Sequence, residues 1–288
     1  MQAAFREHLV RGEELGSRYA LATPELTLSG HSGQQLGRRA GNSIDFQDYR
    51  EYQPGDDLRS IDWNVYARTD KLTIKLFREE VNPHLDIILD CSQSMNLAET
   101  EKGSCALRLA AMLGMAAENA RFTHALWCGG EGFRRAENDN LRPSAWDGIE
   151  YHSNRNLDEA YAILPPRLRR AGMRVVISDL FWPGNPTTTM RRFSEGAATT
   201  IVIQVVAQAD ITPPEHGNIH LIDSESGESM QMFIDSMVEQ RYRDTLKQHQ
   251  ESWDAACRGC GARFVTLTAE QFEDMLIRLE EIELLVPA

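Results

Sequence analysis

The sequence has no apolar run long enough to cross a membrane as a helix, a length of about eighteen residues. Its first residues, Met1 to Tyr19, are charged and amphipathic and lack the apolar core of a signal peptide. The five cysteines, an odd number at irregular spacing, do not suggest a disulfide framework. We therefore expect a protein of the reducing cytoplasm without a membrane span.

The sequence has fewer basic than acidic residues. The 288 residues include 43 acidic and 30 basic side chains, for a net charge of -13. A nucleic-acid-binding protein normally carries a basic surface that neutralises phosphates, and an anionic membrane surface attracts basic segments for the same reason. The charge balance therefore disfavours nucleic acid and anionic membranes as partners.

Motifs for several enzyme classes are missing as well. The sequence has no G-x-x-x-x-G-K-[ST] loop for nucleotide phosphates, no G-x-S-x-G elbow and no H-E-x-x-H pair. Cys257 and Cys260 form a C-x-x-C spacing without a second cysteine or histidine pair, near the predicted end of a helix. We interpret these two thiols as structural.

From about Val81 onward, short apolar strands alternate with helical segments. This alternation predicts an α/β fold, with a doubly wound, mostly parallel sheet and helices on both faces, in residues 81–288. Residues 1–80 are predicted to form an N-terminal extension with an amphipathic helix and a β-hairpin arm. The segments that carry these predictions are the strands Leu85–Leu89, Val175–Ser178, Thr200–Val206 and Phe264–Leu267, the helices Ala106–Ala120, Leu157–Leu164 and Met237–Ala256, and the arm Leu72–Phe77.

Two predicted strands end in an aspartate. Asp90 follows the first and opens the pattern Asp90-x-Ser92-x-Ser94, and Asp179 follows the second. Ligands of open α/β sheets bind beyond the carboxyl ends of strands, where the strand order reverses. Carboxylate and hydroxyl oxygens suit Mg²⁺ or Mn²⁺, and Mg²⁺ keeps several waters and so leaves a position for a carboxylate of a ligand. The alternative is a polar strand-to-helix turn with a serine as helix cap.

A second candidate site lies in the first 80 residues. Asp56, Asp57, Asp62 and Trp63 fall within eight residues, after a Pro-Gly turn. One interpretation is a loop that faces a partner. The other, which physical considerations favour, is that an aspartate caps a short helix and the indole packs on the sheet.

Two segments resemble known families. Leu89 to Met95, LDCSQSM, resembles the metal-ion-dependent adhesion site of von Willebrand factor A domains. The run from Phe46 to Glu80, FQDYREYQPGDDLRSIDWNVYARTDKLTIKLFREE, resembles the signature of the bacterial family called domain of unknown function 58. This resemblance extends over nearly the whole chain. It implies a von Willebrand A-like, Rossmann-like domain with a family-specific N-terminal extension, associated with a MoxR-type AAA+ ATPase.

The sequence departs from the A-domain pattern at one position. Related domains place a threonine in a second loop, where the best register here gives Arg155. A guanidinium does not ligate a cation and repels one, so it would neutralise Asp90 and Asp179 instead. Ser153 or Asn156 would supply the missing oxygen ligand if the loop is shifted.

Three functions remain open from the sequence. The leading one is a non-catalytic protein-binding module or adaptor, which works with the ATPase in the assembly or maturation of protein complexes. The second is a Mg²⁺-dependent hydrolase that uses Asp90 and Asp179, although no general base or nucleophile is evident beside them. The third is a metal-free structural scaffold in which Arg155 takes the place of the metal.

Overall fold

A computed structural model describes residues 3–22, 46–53, 56, 58–77, 83–98, 100–212, 216–224 and 227–288. The chain divides into two compact units. The first unit comprises Met1–Glu25 and Pro83–Ala288, and the second comprises Leu26–Asn82. None of the described helices is long and apolar enough to span a membrane.

The described residues form eight α-helices and twelve β-strands. The helices are α1 (Ala3–Gly16), α2 (Trp63–Thr69), α3 (Lys102–Asn119), α4 (Leu157–Ile163), α5 (Pro186–Ser194), α6 (Gln208–Ile211), α7 (Ser236–Gly259) and α8 (Phe272–Glu281). The strands are β1 (Tyr19–Leu21), β2 (Phe46–Glu51), β3 (Thr73–Phe77), β4 (His84–Asp90), β5 (Thr123–Gly130), β6 (Gly132–Arg135), β7 (Met173–Ser178), β8 (Thr199–Val206), β9 (Gly217–Ile222), β10 (Ser229–Ile234), β11 (Arg263–Thr268) and β12 (Leu285–Pro287).

Six strands form the central sheet of the first unit, in the order β11-β8-β7-β4-β5-β6. All neighbours are parallel except β5 and β6, which form an antiparallel hairpin. The chain moves outward from β4 through β5 to β6, then returns to β7 on the other side of β4 and continues to β8 and β11. The strand order therefore reverses between β4 and β7. The predicted mixed α/β fold with a mostly parallel sheet is confirmed.

Apolar side chains on successive strand residues enter two different cores. Leu85, Ile87 and Leu89 of β4 join a cluster that includes residues of α1, α3 and α8. Ile88, between them, joins a cluster that includes residues of α4, α5 and α7. Because successive side chains of a strand point to opposite faces, helices cover both faces of the sheet. This double burial explains why these strands are nearly continuous apolar runs.

Helix α1 packs on α3 through two glycines. A Cβ atom at Gly12 would lie 2.4 Å from the carbonyl oxygen of Arg108, and one at Gly16 would lie 2.4 Å from that of Met112. Only glycine permits this close approach of the two backbones. The short antiparallel pair of β1 and β12 follows α1 and joins the two ends of this unit. Helix α1 thus belongs with the α/β unit, whereas we grouped it with the extension from the sequence.

The second unit contains β2 and β3, which pair in antiparallel fashion, and α2 between them in sequence. The arm expected at Leu72–Phe77 corresponds to β3. The side chain of Asp62 accepts hydrogen bonds from the backbone N–H groups of Asn64 and Val65 and so caps α2. A capping carboxylate satisfies amides that have no partner within the helix, and this explains where α2 begins.

Candidate functional site

Two aspartates meet at the point where the strand order reverses. Asp90 is the last residue of β4, and Asp179 directly follows β7, which is the neighbouring parallel strand. Both residues are only 1% exposed. Carboxylates this deeply buried are uncommon unless they are paired or hydrogen-bonded. The site can therefore be built from what surrounds each of them.

Asp90 is surrounded by neutral donors. Its Oδ2 accepts a 2.6 Å hydrogen bond from the hydroxyl of Ser178, and its Oδ1 accepts a 3.0 Å bond from the backbone N–H of Ser92. No basic side chain of the described residues forms an ion pair with it. Burial, and next the nearby Asp179 carboxylate, raise the pKa of Asp90 to about 7, although the hydrogen bonds from Ser178 and Ser92 oppose the shift. The ionised carboxylate lacks a compensating positive charge.

Serine hydroxyls lie beside Asp90. The Oγ atoms of Ser92 and Ser94 are 3.0 Å apart, within hydrogen-bond distance. Ser92 also forms an isolated parallel bridge with Ser153, which is buried and belongs to the loop before α4. The Ser153 carbonyl oxygen accepts a 2.8 Å bond from the N–H of Gln93. The loop that carries Ser153 is thus held by the backbone against the D-x-S-x-S turn.

Asp179 has a different environment, because a buried lysine neutralises it. The Nζ atom of Lys102, the first residue of α3, lies 2.9 Å from Oδ2 of Asp179 and 3.3 Å from Oδ2 of Asp210 on α6. Lys102 is 1% exposed. Burial by itself would lower the pKa of Lys102, but the Asp179 and Asp210 carboxylates outweigh this effect and the pKa is raised. The ammonium therefore stays charged and acts as a built-in counter-ion.

Sequence reasoning did not identify Lys102 or Asp210. One signal was available for Lys102, since it begins a helix whose other residues are largely apolar. A cation in the first turn of a helix is disfavoured by the helix dipole. An unfavourable lysine at such a position indicates a compensating carboxylate nearby, although the sequence cannot say which one.

Asn156 and Arg155 are used for other contacts. The Oδ1 of Asn156 accepts hydrogen bonds from the backbone N–H groups of Asp158 and Glu159, so this side chain caps α4. Arg155 is nearly half exposed and donates from Nε to Glu131 over 2.8 Å. The guanidinium is paired with a surface carboxylate in this arrangement. The ion pairing with Asp90 and Asp179 that the sequence suggested for Arg155 is not formed, and the cation beside Asp179 is Lys102.

The second predicted cluster is divided between structural and exposed residues. Asp62 is buried as the cap of α2, and Asp56 accepts hydrogen bonds from Arg50 and from the backbone N–H of Gln53. Asp57 lies outside the described residues. Trp63 is 61% exposed and makes an edge-to-face contact with Tyr66. The indole is therefore largely exposed, whereas the capping interpretation expected it to pack on the sheet.

The buried thiols Cys257 and Cys91 are poorly suited to nucleophilic attack or metal binding. Burial and the carboxylate of Asp254 raise the pKa of Cys257 to about 12. The neighbouring thiol of Cys128 and burial raise the pKa of Cys91 well above its usual value. Thiols with such pKa values remain protonated and are poor nucleophiles and poor metal ligands.

The donor atoms around Asp90 fit a hard divalent cation in type. No group of three or more His, Cys, Asp or Glu side chains in the described ranges is arranged to hold a metal ion. A cation here would be held by the carboxylate of Asp90 and the hydroxyls of Ser92 and Ser94, with the Ser153 hydroxyl, which accepts a 3.1 Å hydrogen bond from the backbone N–H of Arg155, as a further oxygen donor. An oxygen set with one carboxylate and room for waters suits Mg²⁺ and excludes the softer metals that need thiolate or imidazole.

Two solved structures are similar to this chain, with low sequence identities and low TM-scores. One is the conserved hypothetical protein BatB from Bacteroides thetaiotaomicron, which is 14% identical with a TM-score of 0.35, over 69% of this chain and 98% of that one. The other is an aerotolerance-related membrane protein from Bacteroides fragilis, 12% identical with a TM-score of 0.38, over 70% of this chain and 98% of that one.

The sequence comparisons are more specific. Two curated relatives are the uncharacterised proteins Mb1516 of Mycobacterium bovis and Rv1480 of Mycobacterium tuberculosis. Each is 27% identical over 276 residues, which span 88% of this chain and 84% of the relative. A family model matches residues 48–252, which include β4, β7 and both aspartates. The chain belongs to the family described as protein of unknown function DUF58.

Proposed function

We propose that this chain is a non-catalytic protein-binding module. Its binding site is the carboxyl edge of the central sheet, where Asp90, Ser92, Ser94 and Ser153 hold a Mg²⁺ ion that accepts a carboxylate of the partner. Asp179 is not a ligand in this proposal. Its carboxylate is paired with the ammonium of Lys102, and its backbone carbonyl accepts a hydrogen bond from the side-chain amide of Gln204.

One observation carries the proposal. Asp90 is buried among neutral donors, whereas Asp179, at the equivalent place on the next strand, has a lysine of its own. A buried carboxylate either gains a proton or gains a cation. Two hydroxyls beside Asp90 supply the additional oxygen donors that a cation needs and that a proton does not.

The same neighbourhood favours binding over catalysis. The hydroxyl nearest to a carboxylate is that of Ser178, which is fully buried and also accepts a hydrogen bond from the backbone N–H of Leu180. A substrate has no access to this oxygen. The hydroxyls of Ser92 and Ser94 lie within hydrogen-bond distance of each other, and the carboxylate beside Ser92 is that of Asp90, which in this proposal binds the cation and does not act as a base.

The strand order, the D-x-S-x-S turn at the reversal point and the antiparallel β6 together support a von Willebrand A-like domain with an adhesion-type metal site. The resemblance described above then suggests the partner, a MoxR-type AAA+ ATPase, and a role in the assembly or maturation of protein complexes. The partner's carboxylate completes the coordination of the ion in this proposal.

The cation is tested by thermal unfolding in the presence of Mg²⁺, Mn²⁺ or a chelator. A ligand that binds only the folded state stabilises it by about 2.7 kcal/mol at a hundred times its dissociation constant. We expect a rise of several degrees for the wild type, and none for Asp90→Asn or for the double variant Ser92→Ala/Ser94→Ala. Asp158→Asn, which alters a partly buried carboxylate that contacts Arg192 and Thr189, serves as the matched control and should keep the shift.

The partner is tested separately by pull-down of a co-expressed AAA+ ATPase, with Mg²⁺ or with a chelator. Retention that depends on Mg²⁺ and is lost in Asp90→Asn supports the proposal. Equal retention by wild type and variant would show that the interface lies elsewhere on the molecule. A wild-type protein without a thermal shift would exclude the cation even if the ATPase binds.

A further inference from the structure

The β9–β10 hairpin has an unusual surface. Leu221, Ile222, Met230 and Phe233, together with Met237 at the start of α7, are large apolar side chains exposed by 44% to 78%. These five fall within seventeen consecutive residues. Soluble proteins expose single apolar residues everywhere, but a concentration of this size marks a surface that another molecule covers.

The register of the hairpin places these side chains on both of its faces. Leu221 lies directly opposite Met230, so their side chains share one face. Ile222 pairs with Ser229 and Phe233 with Asn218, so Ile222 and Phe233 lie on the other face. Ile234 at the base is buried, and Ile219 and Met232, on the same face as Leu221 and Met230, are half-buried. The end of the hairpin that carries Leu221, Ile222 and Met230 is exposed on both faces, and a two-stranded hairpin gains little from its own packing, so this end is suited to enter a groove of a partner.

The hairpin follows β8 in the chain, and β8 ends at the same edge of the sheet as Asp90 and Asp179. Helix α6 follows β8 with Asp210, which contacts Lys102 beside Asp179. The chain then forms β9 and β10 and returns through α7. The phenolic hydroxyl of Tyr242 on α7 donates a 2.7 Å hydrogen bond to the carbonyl oxygen of Asp210, which ties α7 to this edge. The hairpin is therefore continuous with the proposed binding edge.

Charge indicates the chemistry of the occupant. The segment from Thr212 to Gln240 has no lysine or arginine, and it has six acidic residues, namely Glu215, Asp223, Glu225, Glu228, Asp235 and Glu239. Although Glu239 is paired with Arg243 of α7, this segment has a negative net charge, so two copies of it would repel each other and an anionic membrane would repel it as well. A complementary surface combines apolar side chains with lysine or arginine at its border.

We propose that the β9–β10 hairpin is a docking arm for a protein partner that presents an apolar groove or segment bordered by basic residues. The arm extends the binding surface beyond Asp90 and requires no metal ion. The docking role of the hairpin can therefore be tested independently of the cation proposed for the edge of the sheet.

The test uses two synthetic peptides of equal length and charge, one with alternating leucine and lysine and one with alternating serine and lysine. Binding is measured by fluorescence anisotropy in the presence of a chelator. We expect the leucine-lysine peptide to bind the wild type, and the double variant Met230→Ser/Phe233→Ser to bind it at least tenfold more weakly. Ile277→Ser on α8, at a side chain of similar exposure, is the matched control and should bind like the wild type. Asp90→Asn should also leave this affinity unchanged.

Several outcomes would overturn the proposal. Equal binding of both peptides would show that net charge alone attracts them. Equal affinity in the wild type and in the hairpin variant would place the peptide elsewhere. Self-association of the wild type that the hairpin variant abolishes would identify a second copy as the occupant. Flotation of the wild type, but not of the variant, with phosphatidylcholine vesicles would identify a lipid surface. Because Met230, Phe233 and Ile277 are exposed, the variants at these three positions are expected to unfold at the wild-type temperature, which is measured on the same samples.

Discussion

Asp90 and Asp179 are the same residue type at the ends of adjacent parallel strands, and both are almost fully buried. They nevertheless have opposite electrostatic environments. Asp179 lies 2.9 Å from the ammonium of Lys102, while the groups that donate hydrogen bonds to Asp90 are neutral, namely serine hydroxyls and a backbone amide. The position of a carboxylate in a fold therefore does not define its role. The groups that face it determine whether it is an internal structural charge or a site for an external cation.

The largest effect should come from removal of the internal counter-ion. Lys102→Met leaves the buried Asp179 and the partly exposed Asp210 without a cation, and loss of one partner of a buried ion pair costs about 3–5 kcal/mol. We expect a loss of this size in the free energy of unfolding, measured by urea denaturation. The double variant Lys102→Met/Asp179→Asn should recover much of it. A double variant as unstable as the single one would mean that packing of the lysine, rather than its charge, is what matters.

The next largest loss of stability is expected from replacement of Asp179, and replacement of Asp90 provides the direct comparison. Asp179→Asn removes the closer carboxylate of Lys102 and should reduce the free energy of unfolding by about 2–3 kcal/mol, the range for hydrogen bonds to charged groups. Asp90→Asn replaces a carboxylate without a counter-ion by a neutral amide that still accepts from Ser92, and should change it by less than about 1 kcal/mol. Both variants are measured without divalent ions. Equal losses in the two variants would contradict the difference between the two sites.

The smallest effect is expected at Arg155. Its guanidinium is paired with Glu131 at the surface, and exposed pairs contribute little. Arg155→Ala should leave the unfolding midpoint unchanged and should preserve any thermal shift with Mg²⁺. A larger shift with Mg²⁺ in Arg155→Ala would show that this charge does repel the cation, as the sequence suggested.

Much of the fold was predictable from local pattern. Leu85–Leu89, Val175–Ser178 and Thr200–Val206 lie within β4, β7 and β8, because strands covered on both faces are continuous apolar runs. The prediction failed where strands are short or polar. Strands β2, β9 and β10 were not identified, since two of them are largely exposed and carry no clean alternation of apolar and polar residues.

The residues of the candidate site were likewise predictable only in part. Asp90, Ser92, Ser94 and Asp179 were found because a strand end followed by polar residues is visible in sequence. Lys102 and Asp210 were not found because they lie 77 and 31 residues from Asp179 in the chain. Lys102 is on α3, which follows β4, and Asp210 is on α6, which follows β8. Asn156 was expected as an oxygen ligand, but its side chain caps α4, which is a local contact that competes with ligation.

The sequence by itself determined the kind of fold, the family and the edge of the sheet at which the two aspartates lie, because these depend on local periodicity and on residues adjacent in the chain. Only the tertiary structure decided which aspartate has a counter-ion. That pairing depends on the register of α3 and α6 against the ends of β4 and β7, and on burial that makes a 2.9 Å contact strong. The same is true of the exposed apolar side chains of β9 and β10, since exposure depends on what the rest of the chain leaves uncovered.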